Sequence, residues 1–118
     1  TRALALDPAW GSVRADAYDR GGAVTTGTPG AVATLSFTGS GIGWVAVRGP
    51  GRGRALVSID GGPPTLVDLG ASTGSARRIA FARSWTVAGE HVLRIETLGT
   101  AGRPRVEIDG FVVLAPAP

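Results

Sequence analysis

Glycine or proline interrupts this chain every few residues: nineteen glycines and eight prolines are distributed over 118 positions. No window between them sustains an i, i+3, i+4, i+7 apolar stripe, so amphipathic helices are not expected. The short segments left between the turn residues alternate apolar and polar with period two, the pattern of half-buried strands. In "AVATLSFT" the alternation puts Ala33, Leu35 and Phe37 on one face. The next segment puts Ile42, Trp44 and Ala46 inward, and "RALVSID" does the same for Ala55, Val57 and Ile59. Strands are predicted near 10–13, 23–25, 31–38, 42–48, 54–60, 65–69, 76–84, 91–98 and 105–114. Ile79 and Phe81 are expected to face inward in the seventh, Leu93 and Ile95 in the eighth. About nine short strands with turn signals every eight to twelve residues predict an all-β, antiparallel two-sheet sandwich or a barrel.

The length allows one domain with its own core. Residues 1–114 are read as that domain, and the closing "APAP" as a Pro/Ala tail or linker stub at 115–118. Cysteine is absent, which excludes disulfides. No apolar run is long enough to span a bilayer, so no membrane insertion is expected. Every one of the twelve basic residues is arginine, with nine acidic residues against them. A net charge of +3 favours encounter with anionic partners without requiring nucleic acid.

The segment "VRGPGRGRALVSIDGG" (47–62) poses the sharpest question, because its glycines suggest a phosphate cradle. The string is not G-x-G-x-x-G, the lysine of a P-loop is missing, and a strand rather than a helix follows. "GASTG" (70–74) matches a hydrolase nucleophile elbow only as a string, since that elbow needs a helix after it. The single histidine, His91, shares a face with Leu93 and Ile95 and reads as a structural imidazole bonded to backbone. No catalytic constellation emerges, so the chain is not expected to be an enzyme. No Cys/His cluster or EF-hand loop provides a metal site. Trp44 is expected in the core, whereas Trp10 and Trp85 flank loops and could cap the ends of the sandwich. Asp60 and Asp109, each beside a glycine, are read as turn residues.

Several motifs in series carry a resemblance. "GAVATLSFTGSGIGWVAVRGPGRGRALVSIDGGPPTLVDL", "AGEHVLRIETLG" and "RVEIDGFVVL" together resemble the galactose-binding-like jelly-roll modules attached to secreted bacterial hydrolases and surface proteins. The shared frame covers residues 30–114. The resemblance implies a jelly roll, a carbohydrate partner, other domains of the same polypeptide, and a secreted or cell-surface setting. It also implies a structural calcium near the first loops, where Asp16 and Asp19 are the acidic residues at hand. Gly70 departs from the pattern, which commonly has tyrosine after Val-Asp-Leu, and Ser58 stands where an aromatic is common.

Up-and-down strands alternate their connections between the two ends of a sandwich. Loops 48–54, 70–78 and 99–105 then share one end, and bring Arg48, Arg52, Arg54, Arg77, Arg78, Arg103 and Arg105 to it. Guanidinium forks bind carboxylate, sulfate or phosphate in bidentate fashion. The ligand-binding residues expected are Arg48, Arg52, Arg54, Arg78 and Arg103, with Tyr18 as a stacking platform. An acidic glycan, such as an anionic polysaccharide, is the best match to that rim. The alternative is a structural or adhesive module packing through outward apolar residues such as Val32, Val45, Val47 and Leu56. Nucleic acid is the weakest partner, because aromatics are not interleaved with the arginines.

Overall fold

The computed structural model describes residues 2–6, 10–13 and 23–114. In chain order the strands are β1 (Arg2–Leu6), β2 (Gly11–Val13), β3 (Ala23–Thr26), β4 (Val32–Arg48), β5 (Arg54–Ile59), β6 (Thr65–Asp68), β7 (Ser75–Thr97), β8 (Val106–Ile108) and β9 (Gly110–Leu114). No helix occurs among the described residues.

Two long strands organise the fold, and each turns a corner. β4 and β7 pair antiparallel from Val32↔Glu96 to Gly39↔Gly89, and again from Gly41↔Ser84 to Arg48↔Ser75. Between those stretches Trp85–Ala88 oppose the single residue Ser40, and the ladder bends there. The buried positions change parity at the same place: Ala33, Leu35 and Phe37 before it, Ile42, Trp44 and Ala46 after it. Both sets enter one core with Val57, Leu93 and Ile95, so the strand has folded over to form two facing layers. One layer is β1, the first half of β4, the second half of β7, β5 and β6; the other is β9, the second half of β4 and the first half of β7. A separate sheet, β2-β3-β8, adds Val106 and Ile108 to the core.

The two-sheet antiparallel sandwich expected from the alternation is therefore the observed architecture. The strands predicted at 31–38 and 42–48 are the two arms of β4, and those at 76–84 and 91–98 the arms of β7. The strand predicted at 105–114 is broken at Asp109 into β8 and β9, which join different sheets. β1 has no counterpart among the predicted strands. It pairs with β4 from Arg2↔Phe37 to Leu6↔Ala33.

Ile79 is a correction. It is 53% exposed while Phe81 is buried. The ladder passes from Trp44↔Phe81 to Val45↔Ile79, leaving Ala80 as an extra residue. That bulge reverses the facing of the residues just before it, Ile79 included, which strict alternation cannot anticipate. The expected outward apolar set also changes. Val47 is buried, and Val32, Val45 and Leu56 are half-buried. The apolar side chains that do face outward on this layer are Ile79, Val112 and Leu114, bordering a shallow groove of about 340 Å³ over Gly43.

Candidate functional site

Backbone hydrogen bonds lace the predicted loops together at one end. Gly49 N–H donates to the Leu69 carbonyl, Leu69 N–H to Gly53, Gly53 N–H to Arg105, and Arg105 N–H to Gly51. Gly49 and Gly70 form a parallel bridge, as do Arg52 and Arg105. Glycine is required where these segments cross: a Cβ on Gly53 would overlap the Arg103 carbonyl, and one on Gly49 would lie 3.1 Å from the Gly74 Cα. Gly49 and Gly53 of the "GPGRG" loop thus serve close backbone approach, and Gly51 a positive φ of 79°.

Asp68, the last residue of β6, sits at the centre of the rim. Arg103 forks onto it, Nη1 to Oδ1 at 2.6 Å and Nη2 to Oδ2 at 3.2 Å. Arg54 Nε donates to Oδ2 at 3.3 Å, and Gly70 N–H donates to Oδ1 at 2.8 Å. Arg48 Nη1 donates to the Asp68 carbonyl at 2.8 Å. The Arg103 fork, the Gly70 amide and Arg54 together hold the Asp68 carboxyl well below the usual carboxylate range. Beside this cluster lies an open polar depression of about 300 Å³, lined by Gly49, Pro50, Gly51, Asp68, Gly70 and Arg103.

Three of the residues expected to bind ligand are therefore brought together at Asp68, Arg54 and Arg103 on its carboxylate and Arg48 on its main-chain carbonyl. Arg52 stands next to them but points inward. Its Nη2 lies 2.5 Å from Oε1 of Glu107, a side chain that is 3% exposed, and its carbonyl accepts from Arg103. Arg78 is not joined to the cluster; its Nε donates to Ser75 at 2.5 Å. Arg105, also expected at this rim, donates to Thr25 Oγ1 at 3.1 Å. Tyr18, Asp16, Asp19 and the Arg77 side chain lie outside the described residues. Among the described residues no group of three or more His, Cys, Asp or Glu could hold a metal ion.

Sequence reasoning places Asp68 as the one carboxylate near the rim without assigning it the arginines, and does not find Glu107. Asp68 carried a signal, since it is the one carboxylate on a strand ending at that rim. Glu107 carried none, because only the β3–β8 pairing turns it toward Arg52.

The opposite end holds a second polar cluster. Asp60 and Gly61 both have positive φ, and Gly62 N–H donates to the Ile59 carbonyl, the marks of a type I′ turn. Oδ2 of Asp60 is 2.7 Å from Nδ1 of His91, and Oδ1 accepts from Val92 N–H at 2.7 Å. His91 therefore bonds a carboxylate and not the backbone, and its ring stacks on Trp85 at 3.7 Å and 7°. Trp85 is half-buried against the core. So is Trp10, whose indole N–H donates to the Val32 carbonyl. Neither is an open aromatic platform.

The His91 hydrogen bond, then the Val92 amide, lower the Asp60 pKa despite partial desolvation. A depressed folded-state pKa contributes stability above the unfolded carboxylate value of about 3.9 and loses it as pH falls through the folded value. Asp60→Asn removes that contribution. The stability gap between wild type and variant, measured by urea titration, is expected to close as pH drops below about 4. A gap constant down to pH 2 would disprove it.

No family profile and no curated protein matches the chain. Solved structures do. A family two carbohydrate esterase from Cellvibrio japonicus is 21% identical with a TM-score of 0.60, over 100% of this chain and 36% of that one. A family 35 carbohydrate binding module from Clostridium thermocellum is 18% identical with a TM-score of 0.54, over 96% of this chain and 93% of that one. The CBM36-1 domain of a multidomain xylanase from the hindgut metagenome of Trinervitermes trinervoides is 13% identical with a TM-score of 0.52, over 94% of each chain. This chain thus spans about a third of the esterase and nearly all of each module. What it shares with them is the jelly-roll fold.

Proposed function

We propose that this chain is a non-catalytic carbohydrate-binding module of a secreted or cell-surface protein, contacting an acidic glycan through the rim around Asp68. The observation that carries the reading is the polar depression lined by Asp68 and Arg103, with Arg54 and Arg48 bonded to the same aspartate. Among the described residues five arginines reach this end (Arg48, Arg52, Arg54, Arg103, Arg105) against two carboxylates, Asp68 and Glu107, an excess of positive charge. Arg48, Arg54 and Arg103 supply donors, Arg78 extends the positive edge, and Arg52 braces the loop from below. Two of the three similar structures described above are modules of nearly this length, which supports a binding role over catalysis.

A glycan array probed at low and high salt, with wild type and an Arg54→Ala/Arg78→Ala variant, tests this. Signals confined to uronate- or sulfate-bearing glycans are expected, weakened by salt and by the double substitution.

A second reading, packing against another domain or copy, has its own observation in the outward Ile79, Val112 and Leu114 around the groove. Absence of array signal at either salt, together with concentration-dependent self-association, would favour it.

A further inference from the structure

We infer that Asp68 is a positioning residue whose carboxylate gathers Arg103 and Arg54, beside Arg48 on its main-chain carbonyl, into a receptor for the oxyanion of an acidic sugar. This rests on reading the rim as the glycan-binding end. An ionised carboxylate has about four acceptor sites. Asp68 receives four hydrogen bonds, two from Arg103, one from Arg54 and one from the Gly70 amide. Nothing is left on it to accept from a sugar hydroxyl, so its part is to hold its donors in place.

The donors are not exhausted. Arg54 uses only Nε on Asp68 and its side chain is 47% exposed, which leaves both of its terminal nitrogens to a ligand. Arg48 engages one nitrogen, and with a carbonyl, so its charge is not neutralised. The two guanidiniums on the carboxylate and Arg48 on the adjacent carbonyl leave a net double positive charge at Asp68, next to a depression of about 300 Å³ that Asp68 and Arg103 line. A site rich in donors and saturated in acceptors selects a ligand that accepts, and a carboxylate or sulfate on a sugar ring is that ligand.

Gly70 is the second element of the device. A Cβ there would overlap Nη1 of Arg103 and lie 3.1 Å from Oδ1 of Asp68, so the guanidinium is seated on bare backbone. Gly70 does not occupy the left-handed region, so alanine suits the backbone, displaces the arginine and presses only slightly on the carboxylate.

The test sets charge against position. Asp68→Asn adds a positive charge to the rim. If the arginines acted only as a field, binding of an anion would strengthen; if Asp68 positions them, it weakens. Isothermal titration of wild type, Asp68→Asn, Gly70→Ala and Arg103→Lys would use oligogalacturonate, a sulfated galacto-oligosaccharide and a neutral galacto-oligosaccharide. Wild type is expected to bind an acidic probe, and which one it binds tells carboxylate from sulfate. Each variant should lose about tenfold or more, Arg103→Lys included, because it keeps the charge and loses the fork. Gly70→Ala and Arg103→Lys leave Asp68 in place, so they decide the matter if Asp68→Asn proves unstable. Unchanged or tighter acidic-glycan binding by the variants would overturn the positioning role and leave the module reading intact. Binding of the neutral probe alone would overturn the oxyanion receptor but not the module, and binding of none would overturn both.

Discussion

Trp44→Ala is expected to destabilise the protein by about 3–5 kcal/mol, the range for deleting a large buried aromatic side chain. Trp44 has no solvent exposure and lies where the second arm of β4 is flanked on both sides, by Phe81 of β7 and Phe111 of β9. The cavity cannot collapse easily, because the backbone on each side is pinned by ladder hydrogen bonds. For a domain of this size the loss corresponds to a melting temperature lower by roughly 10–20 °C. Trp44→Phe should cost much less. It removes a smaller volume, and it also deletes a buried indole N–H that has no hydrogen-bond partner. Thermal melts of both variants check the pair, and equal losses would contradict the account.

Arg52→Ala is expected to cost about 3 kcal/mol or more, although Arg52 stands in the most loop-like, arginine-rich stretch of the chain. Its guanidinium is the positive charge at a 2.5 Å contact with Glu107, whose side chain is 3% exposed. Removing it takes away a positive charge from beside a desolvated carboxylate. It also loosens the loop whose carbonyl accepts from Arg103. Arg54→Ala is the contrast: its pair with Asp68 is about half-exposed on both sides, and surface pairs contribute about 0–1 kcal/mol. A double replacement, Arg52→Met with Glu107→Leu, should recover most of the stability, as apolar substitution of a whole buried pair commonly does. Denaturant titration of the three variants reads this directly. Equal midpoints for Arg52→Ala and Arg54→Ala would show that Arg52 is not a buried strut.

These two residues also show how differently core and rim are written in the sequence. Trp44 was legible because alternation with Ile42 and Ala46 fixes its face, and the face of a strand is a local property. The grouping of loops 48–54, 70–78 and 99–105 was legible for a related reason, since antiparallel succession alternates the ends. What each arginine does there was not. Arg52 and Arg54 are two residues apart, yet one is braced by a buried glutamate on β8 and the other by a half-exposed aspartate on β6. Ile79 failed for a comparable reason: one inserted residue, Ala80, is visible only once β7 is laid against β4.

The sequence by itself determined an antiparallel sandwich, its inner faces and the end at which its arginines collect, because periodicity and turn chemistry act over a few residues. Tertiary structure alone decided that β4 and β7 fold over at their midpoints. It decided also that Asp68 draws three guanidiniums together while Glu107 takes a fourth. Those outcomes depend on pairings between residues 14 to 64 positions apart, where register and burial, not local preference, choose the partner.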